Sequence, residues 1–176
     1  MKIRELKLKN FRCFNELTIN FSDDYTIFIG NNGAGKSSIL NALQIMLQTL
    51  VFNTQYDLRK SKADYFASQA IQESDARLKS SKIGSRTEQQ PQYPVIINIS
   101  VSTSNDKNIS WNYELTNALS RTAKNTNEVL NYVQELQQKI TNGDNVICPI
   151  IAYYGTKRQW NKIELYSEKK VPLFRK

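Results

Sequence analysis

The chain has no histidine, only two cysteines and four prolines among its 176 residues, and no apolar run of about 18 residues or more. Without histidine, no imidazole is available within it as a catalytic base or a switch. Cys13 and Cys148 lie far apart and in no metal-binding or redox spacing, so a reduced, cytoplasmic setting is expected. Met1-Lys2-Ile3-Arg4 is not followed by a signal-peptide core, so neither export signal nor membrane span is read. The seven aspartates, at positions 23, 24, 57, 64, 75, 106 and 144, share one deficiency: none follows an apolar run. Acidic side chains are also outnumbered, 16 against 24 Lys and Arg, and the net charge of +8 attracts polyanions. What remains, 40% hydrophobic and 23% charged residues, is the composition of a globular chain long enough to bury one domain.

Against these absences stands one dense motif. Gly30-Asn31-Asn32-Gly33-Ala34-Gly35-Lys36-Ser37 matches G-x-x-x-x-G-K-[ST], the phosphate-binding P-loop. Its context is the one the mechanism needs. Tyr25-Thr26-Ile27-Phe28-Ile29 reads as a strand buried on both faces of a parallel sheet. After Ser37, the residues Ile39, Leu43, Met46, Leu47 and Leu50 recur at helical spacing, so the loop opens a helix whose free N–H groups and dipole favour an anion. Glycines let backbone approach phosphate oxygens where a Cβ would collide. Lys36 is expected to reach the β- and γ-phosphates, and the Ser37 hydroxyl to ligate Mg²⁺.

Leu6 and Leu8, then Leu17, Ile19 and Phe21, alternate with polar neighbours and predict a strand pair before the loop. Val95 to Val101 and Ile109 to Leu115 predict a second hairpin around a turn at 104–108. Residues 53–93 read as a polar insertion or mobile segment, with a short helix near 63–78. Val129, Val133, Leu136 and Ile140 form a helical stripe, with Asn125 and Glu128 in capping-box spacing and Asn142-Gly143 as the stop. Val146 to Tyr154 reads as another buried strand, ending in a polar turn where ligands bind in open α/β sheets.

Leu8-Lys9-Asn10-Phe11-Arg12-Cys13-Phe14 on the first pair, followed by a strand and Gly30 to Ser38, resembles the opening of an SMC/RecF-like ATPase head, which is of the ABC type. The resemblance covers roughly residues 1–50. It implies an α/β P-loop NTPase fold, in which residues 1–176 form the N-terminal lobe of the head, with antiparallel hairpins flanking a mostly parallel sheet. It also implies ATP and Mg²⁺ as ligands. Arg12 would contact phosphate or ribose with Cys13 close by, and Asn31, Asn32, Gly33, Ala34, Gly35, Lys36, Ser37 and Ser38 would form the cradle. By position, Gln159 would sense Mg²⁺ and the γ-phosphate.

Pro149 to Arg158 resembles a segment of AAA-family ATPases from bacterial antiphage systems of the Septu type, including those beside retrons, where the ATPase pairs with an HNH-type nuclease. Such heads work as dimers or higher even oligomers, and nucleic acid is a further candidate partner. They hydrolyse ATP with an Asp-Glu after four apolar residues, a Ser-Gly signature motif and a switch histidine. None occurs in this sequence. No catalytic residue is therefore assigned, the chain is expected to be part of a longer ATPase, and on its own it should bind ATP without efficient hydrolysis.

Two other readings have some support. Asn161-Lys162-Ile163-Glu164 is close to the guanine-reading motif of GTPases, but Glu replaces Asp and no Asp-x-x-Gly is present. A basic nucleic-acid-binding module would use the Lys/Arg clusters at 59–62 and 79–82 with Tyr56, Tyr65 and Phe66.

Overall fold

Alternating side chains build an antiparallel sheet. The computed structural model describes residues 1–54, 70–83, 86–104 and 106–154. Strands β1 (Lys2–Phe11) and β2 (Phe14–Asn20) form the expected first hairpin, and β5 (Val95–Ser102) and β6 (Asn108–Leu115) the second. With β7 (Ala123–Asn125) they form one five-stranded sheet of order β2-β1-β5-β6-β7, antiparallel at every pairing. A separate hairpin pairs β3 (Leu78–Ile83) with β4 (Arg86–Pro91).

One face of the sheet carries Leu6, Leu8, Ile97, Ile99, Trp111 and Tyr113, all buried, as the period of two requires. Helix α1 (Lys36–Thr54) packs there through Ile39, Ala42, Leu43, Met46 and Leu50. Two polar contacts fix its height on the sheet. The Trp111 indole N–H donates to the Met46 carbonyl at 3.2 Å, and the Thr49 and Tyr113 hydroxyls meet at 2.5 Å. Burial pushes the Tyr113 hydroxyl pKa up, and its bond to Thr49 partly opposes that. Helix α2 (Asn127–Thr141) packs beside α1 and β6 through Val129, Tyr132, Val133 and Leu136. Each such fully buried aliphatic side chain contributes about 1.5–3 kcal/mol.

Several expectations are corrected. The sheet is not mostly parallel. Tyr25, Ile27 and Ile29 are 76%, 70% and 92% exposed and lie in no strand; only Phe28 is half-buried, edge-on to Phe21 at 6.3 Å between ring centroids. An apolar run becomes a doubly buried strand only when strands pair on either side of it, and among the described residues none pairs with 25–29 or with 146–154. Val146 to Tyr154 is accordingly irregular, with Ile147 and Ile150 exposed.

The polar stretch 53–93 is not all peripheral. Ile71, Asp75 and Ala76 are buried, Glu73–Asp75 is a 3₁₀ turn rather than part of a longer helix, and residue 78 starts a strand. Residues 55–69 lie outside the described residues. At α2 the N-cap is Thr126, without a side-chain bond, because Asn125 is the last residue of β7. Glu128 instead accepts from the Ser110 amide at 2.6 Å and its hydroxyl at 3.2 Å, tying the helix to β6. Ile140 is exposed at the far end of the stripe.

Candidate nucleotide site

The site begins at a two-residue turn. Phe11 pairs with Phe14, so Arg12 and Cys13 alone reverse the chain between β1 and β2. Arg12 has φ +52°, a left-handed conformation that costs a non-glycine residue about 1–2 kcal/mol. Asp75 holds it there. The Arg12 amide donates to the Asp75 carbonyl at 2.7 Å, and its guanidinium Nε and Nη2 each lie 2.8 Å from Asp75 Oδ1. The other carboxylate oxygen accepts from the Gln72 amide at 3.0 Å. Arg12 also sits over the Phe11 ring, 5.3 Å from its centroid.

This turn rests on the P-loop. Gly35 has φ +90°, and a Cβ placed on it would lie 2.6 Å from Cys13 Sγ and closer still to the Phe14 ring. Gly35 is thus required twice, by backbone conformation and by packing. Gly33, at φ +86°, would meet nothing within 4 Å, so the loop's upper surface is open.

Lys36 closes the loop from within. Its ammonium donates to the carbonyls of Gly30 at 2.6 Å and Asn31 at 2.7 Å, while Ala34 N–H bonds back to Asn31 at 3.2 Å. The first ladder bond of α1 runs from the Ile39 amide to the Gly35 carbonyl at 3.0 Å, so the amides of Lys36, Ser37 and Ser38 precede the ladder. The first turn of α1 carries no acidic residue, leaving its positive end uncompensated by the helix itself. Open space, preceding amides, a positive helix end and a lysine at the loop fit a polyphosphate.

The structure therefore brings Cys13 against Gly35 in the 30–38 segment, while the adjacent Arg12 is held on Asp75 and lines the cleft beside α1. Gln159 lies outside the described residues. The stretch before it does reach α1, where the Tyr153 hydroxyl donates to Asn41 Oδ1 at 2.9 Å. Among the described residues no group of three His, Cys, Asp or Glu is placed to hold a metal.

Sequence reasoning misses Asp75, which reads as one more charge in a polar stretch. The signal for it is the small apolar set Ala70, Ile71 and Ala76 around it, an anchor inside an otherwise exposed segment. Between α1, the β1 end and this anchor lies a polar cleft of about 480 Å³, lined by Arg12, Asn41, Gln44, Gln48, Gln72 and Asp75.

A glycine loop closed by its lysine, opening a helix and capped by a strand turn, has the form of the P-loop motif. The AAA ATPase domain family matches residues 1–171, and the chain belongs to that family. It is also similar to the DNA replication and repair protein RecF of Lactococcus lactis, 39% identical over 57 residues, which are 32% of this chain and 16% of RecF. The DNA double-strand break repair Rad50 ATPase of Pyrococcus abyssi is 41% identical over 66 residues, 38% of this chain and 7% of that protein. The chain thus spans only a small part of the length of these relatives. No helix among the described residues is long and apolar enough to cross a membrane.

Proposed function

We propose that the chain is the ATP-binding part of a RecF/Rad50-like ATPase. The observation that carries this is the seating of the Arg12-Cys13 turn on Gly35, beside a lysine-closed loop whose upper surface is open. A triphosphate supplies the negative charge and the cleavable phosphoanhydride. Amides at the start of α1 hold its oxygens, Lys36 exchanges a loop carbonyl for phosphate, and the Ser37 hydroxyl takes a place on Mg²⁺. Arg12, anchored by Asp75, faces phosphate or ribose from the rim. Gln159 is assigned to Mg²⁺ and the γ-phosphate by its place after the 146–154 stretch.

We further propose that this ATPase works as a dimer or higher even oligomer and governs an HNH-type nuclease in antiphage defence. The support is the Pro149 to Arg158 segment, together with the Tyr153 to Asn41 bond that ties it to the P-loop helix. A second reading, DNA replication or repair, is favoured by the similarity to RecF and Rad50. Lys36→Ala in cells separates them. Loss of protection against phage supports the defence reading, whereas sensitivity to DNA damage with protection intact replaces it with the repair one.

A further inference from the structure

We propose that the polar cleft between α1 and the 3₁₀ turn Glu73–Asp75 is a second ligand site, separate from the triphosphate site and suited to a neutral planar base of the adenine class. Its volume of about 480 Å³ falls within the range of small-molecule sites, about 300–1,000 Å³. One wall is a face of α1. Asn41, Gln44, Ile45 and Gln48 recur there at helical spacing, opposite the face that packs on the sheet through Ala42, Leu43, Met46 and Leu50. The outer face of such a helix is ordinarily charged, yet beyond Lys36 this helix has no charged residue, and its polar wall is made of amides.

The cleft also holds an unsatisfied acceptor. Gln48 lines it, and Gln48 Oε1 is buried with no hydrogen-bond partner among the described residues. Leaving a buried oxygen unpaired is costly, so a ligand that donates an N–H there recovers the loss. Asn41, on the same face, has its Oδ1 already occupied by the Tyr153 hydroxyl.

The lining is electrically neutral. Among the described residues Arg12 and Asp75 are its only charged groups, and they are paired with each other at 2.8 Å. A phosphate or a metal ion meets no uncompensated charge here, in contrast to the start of α1, where Lys36 and the positive helix end attract a polyphosphate. A neutral amide wall suits a partner with a donor and an acceptor side by side. A glutamine pairs with the adenine edge through two bonds, Oε1 accepting from the exocyclic N6 amine and Nε2 donating to N7. Ile45 and Ala70 add apolar surface for the ring, and the Arg12 guanidinium adds a plane on which a base stacks. At 1.5 Å per residue, Gln48 lies about 18 Å along the helix axis from Lys36, which sets it apart from phosphates held at the loop. The separation rests on the reading of that loop as the triphosphate site.

The test titrates adenosine, guanosine and Mg²⁺-ATP by isothermal calorimetry into wild type, Gln48→Met and Lys36→Ala, with thermal melts as the check of folding. Wild type should bind adenosine at least about tenfold more tightly than guanosine, a comparison that needs no variant. Gln48→Met, close in length and without the amide, should lose about tenfold in adenosine affinity and keep its affinity for ATP. Lys36→Ala should lose ATP and keep adenosine, so failure of the nucleotide site is seen separately from failure of the cleft. No adenosine binding by wild type, no preference over guanosine, or unchanged adenosine affinity in a folded Gln48→Met would overturn the assignment. So would competition between adenosine and ATP with equal losses of both in Gln48→Met, which would make the cleft the base end of the ATP site.

Discussion

Arg12 and Asp75 are 63 positions apart and are joined by a backbone bond of 2.7 Å and by two guanidinium nitrogens at 2.8 Å from a single carboxylate oxygen. Through them a buried acid in a polar stretch fixes a left-handed turn that rests on the phosphate loop. Asp75→Ala should therefore destabilise the protein by about 1–3 kcal/mol, less than for a fully buried pair because the arginine is partly solvated. For a chain of this size that is a fall in melting temperature of about 3–10 °C, read by circular dichroism. Asp75→Asn, which keeps an acceptor, should be milder. Equal and negligible shifts would show that the turn does not depend on this residue.

Gly35 and Gly33 both have positive φ, but only Gly35 is packed. Gly35→Ala should cost about 2 kcal/mol or more, combining left-handed strain with collision against Cys13 and Phe14. Gly33→Ala should cost about 1 kcal/mol, from strain alone. Thermal melts of the two variants give the comparison directly. A smaller effect at Gly35 than at Gly33 would mean that the turn is not seated on the loop.

Cys13 is exposed yet places its sulfur against the glycine that precedes Lys36. In a Cys148→Ser background, alkylation of Cys13 by N-ethylmaleimide should weaken binding of a fluorescent ATP analogue, and ATP present beforehand should slow the modification. Mass spectrometry follows the adduct over time. Alkylation at the same rate with and without ATP, and with no effect on binding, would remove Cys13 from the neighbourhood of the nucleotide.

Glu128 joins α2 to β6 through the Ser110 amide and hydroxyl. Glu128→Ala should cost about 0.5–1.5 kcal/mol, because the bonds are exposed and water replaces part of them. Chemical denaturation with an unchanged m-value and a lower midpoint is the expected result. An unchanged midpoint would show that the tie carries no stability.

The parts legible in the sequence are those fixed by local pattern. The two hairpins follow from period-two alternation at Leu6 to Leu8 and Val95 to Val101, the helices from the spacing of Ile39 to Leu50 and Val129 to Leu136, and the loop from its glycines. Tyr25 to Ile29 misleads because a strand needs neighbours as well as composition, and its apolar pattern says nothing about which strands pair with it. Glu128 fits a capping box by spacing, yet β7 runs to Asn125 and tertiary contact with Ser110 claims the carboxylate instead. Asp75 is hidden for a related reason: its partner Arg12 is distant in sequence, and no local spacing encodes that pairing.

The central claim is that Lys36 and the loop it closes hold the phosphates of ATP. Isothermal titration of the chain with ATP and Mg²⁺, wild type beside Lys36→Ala, tests it most directly. Removal of a charge-assisted bond of about 1.5–3 kcal/mol predicts an affinity at least about tenfold lower for the variant, with its melting temperature little changed. Equal affinity in the two proteins would contradict the assignment of this loop as the nucleotide site.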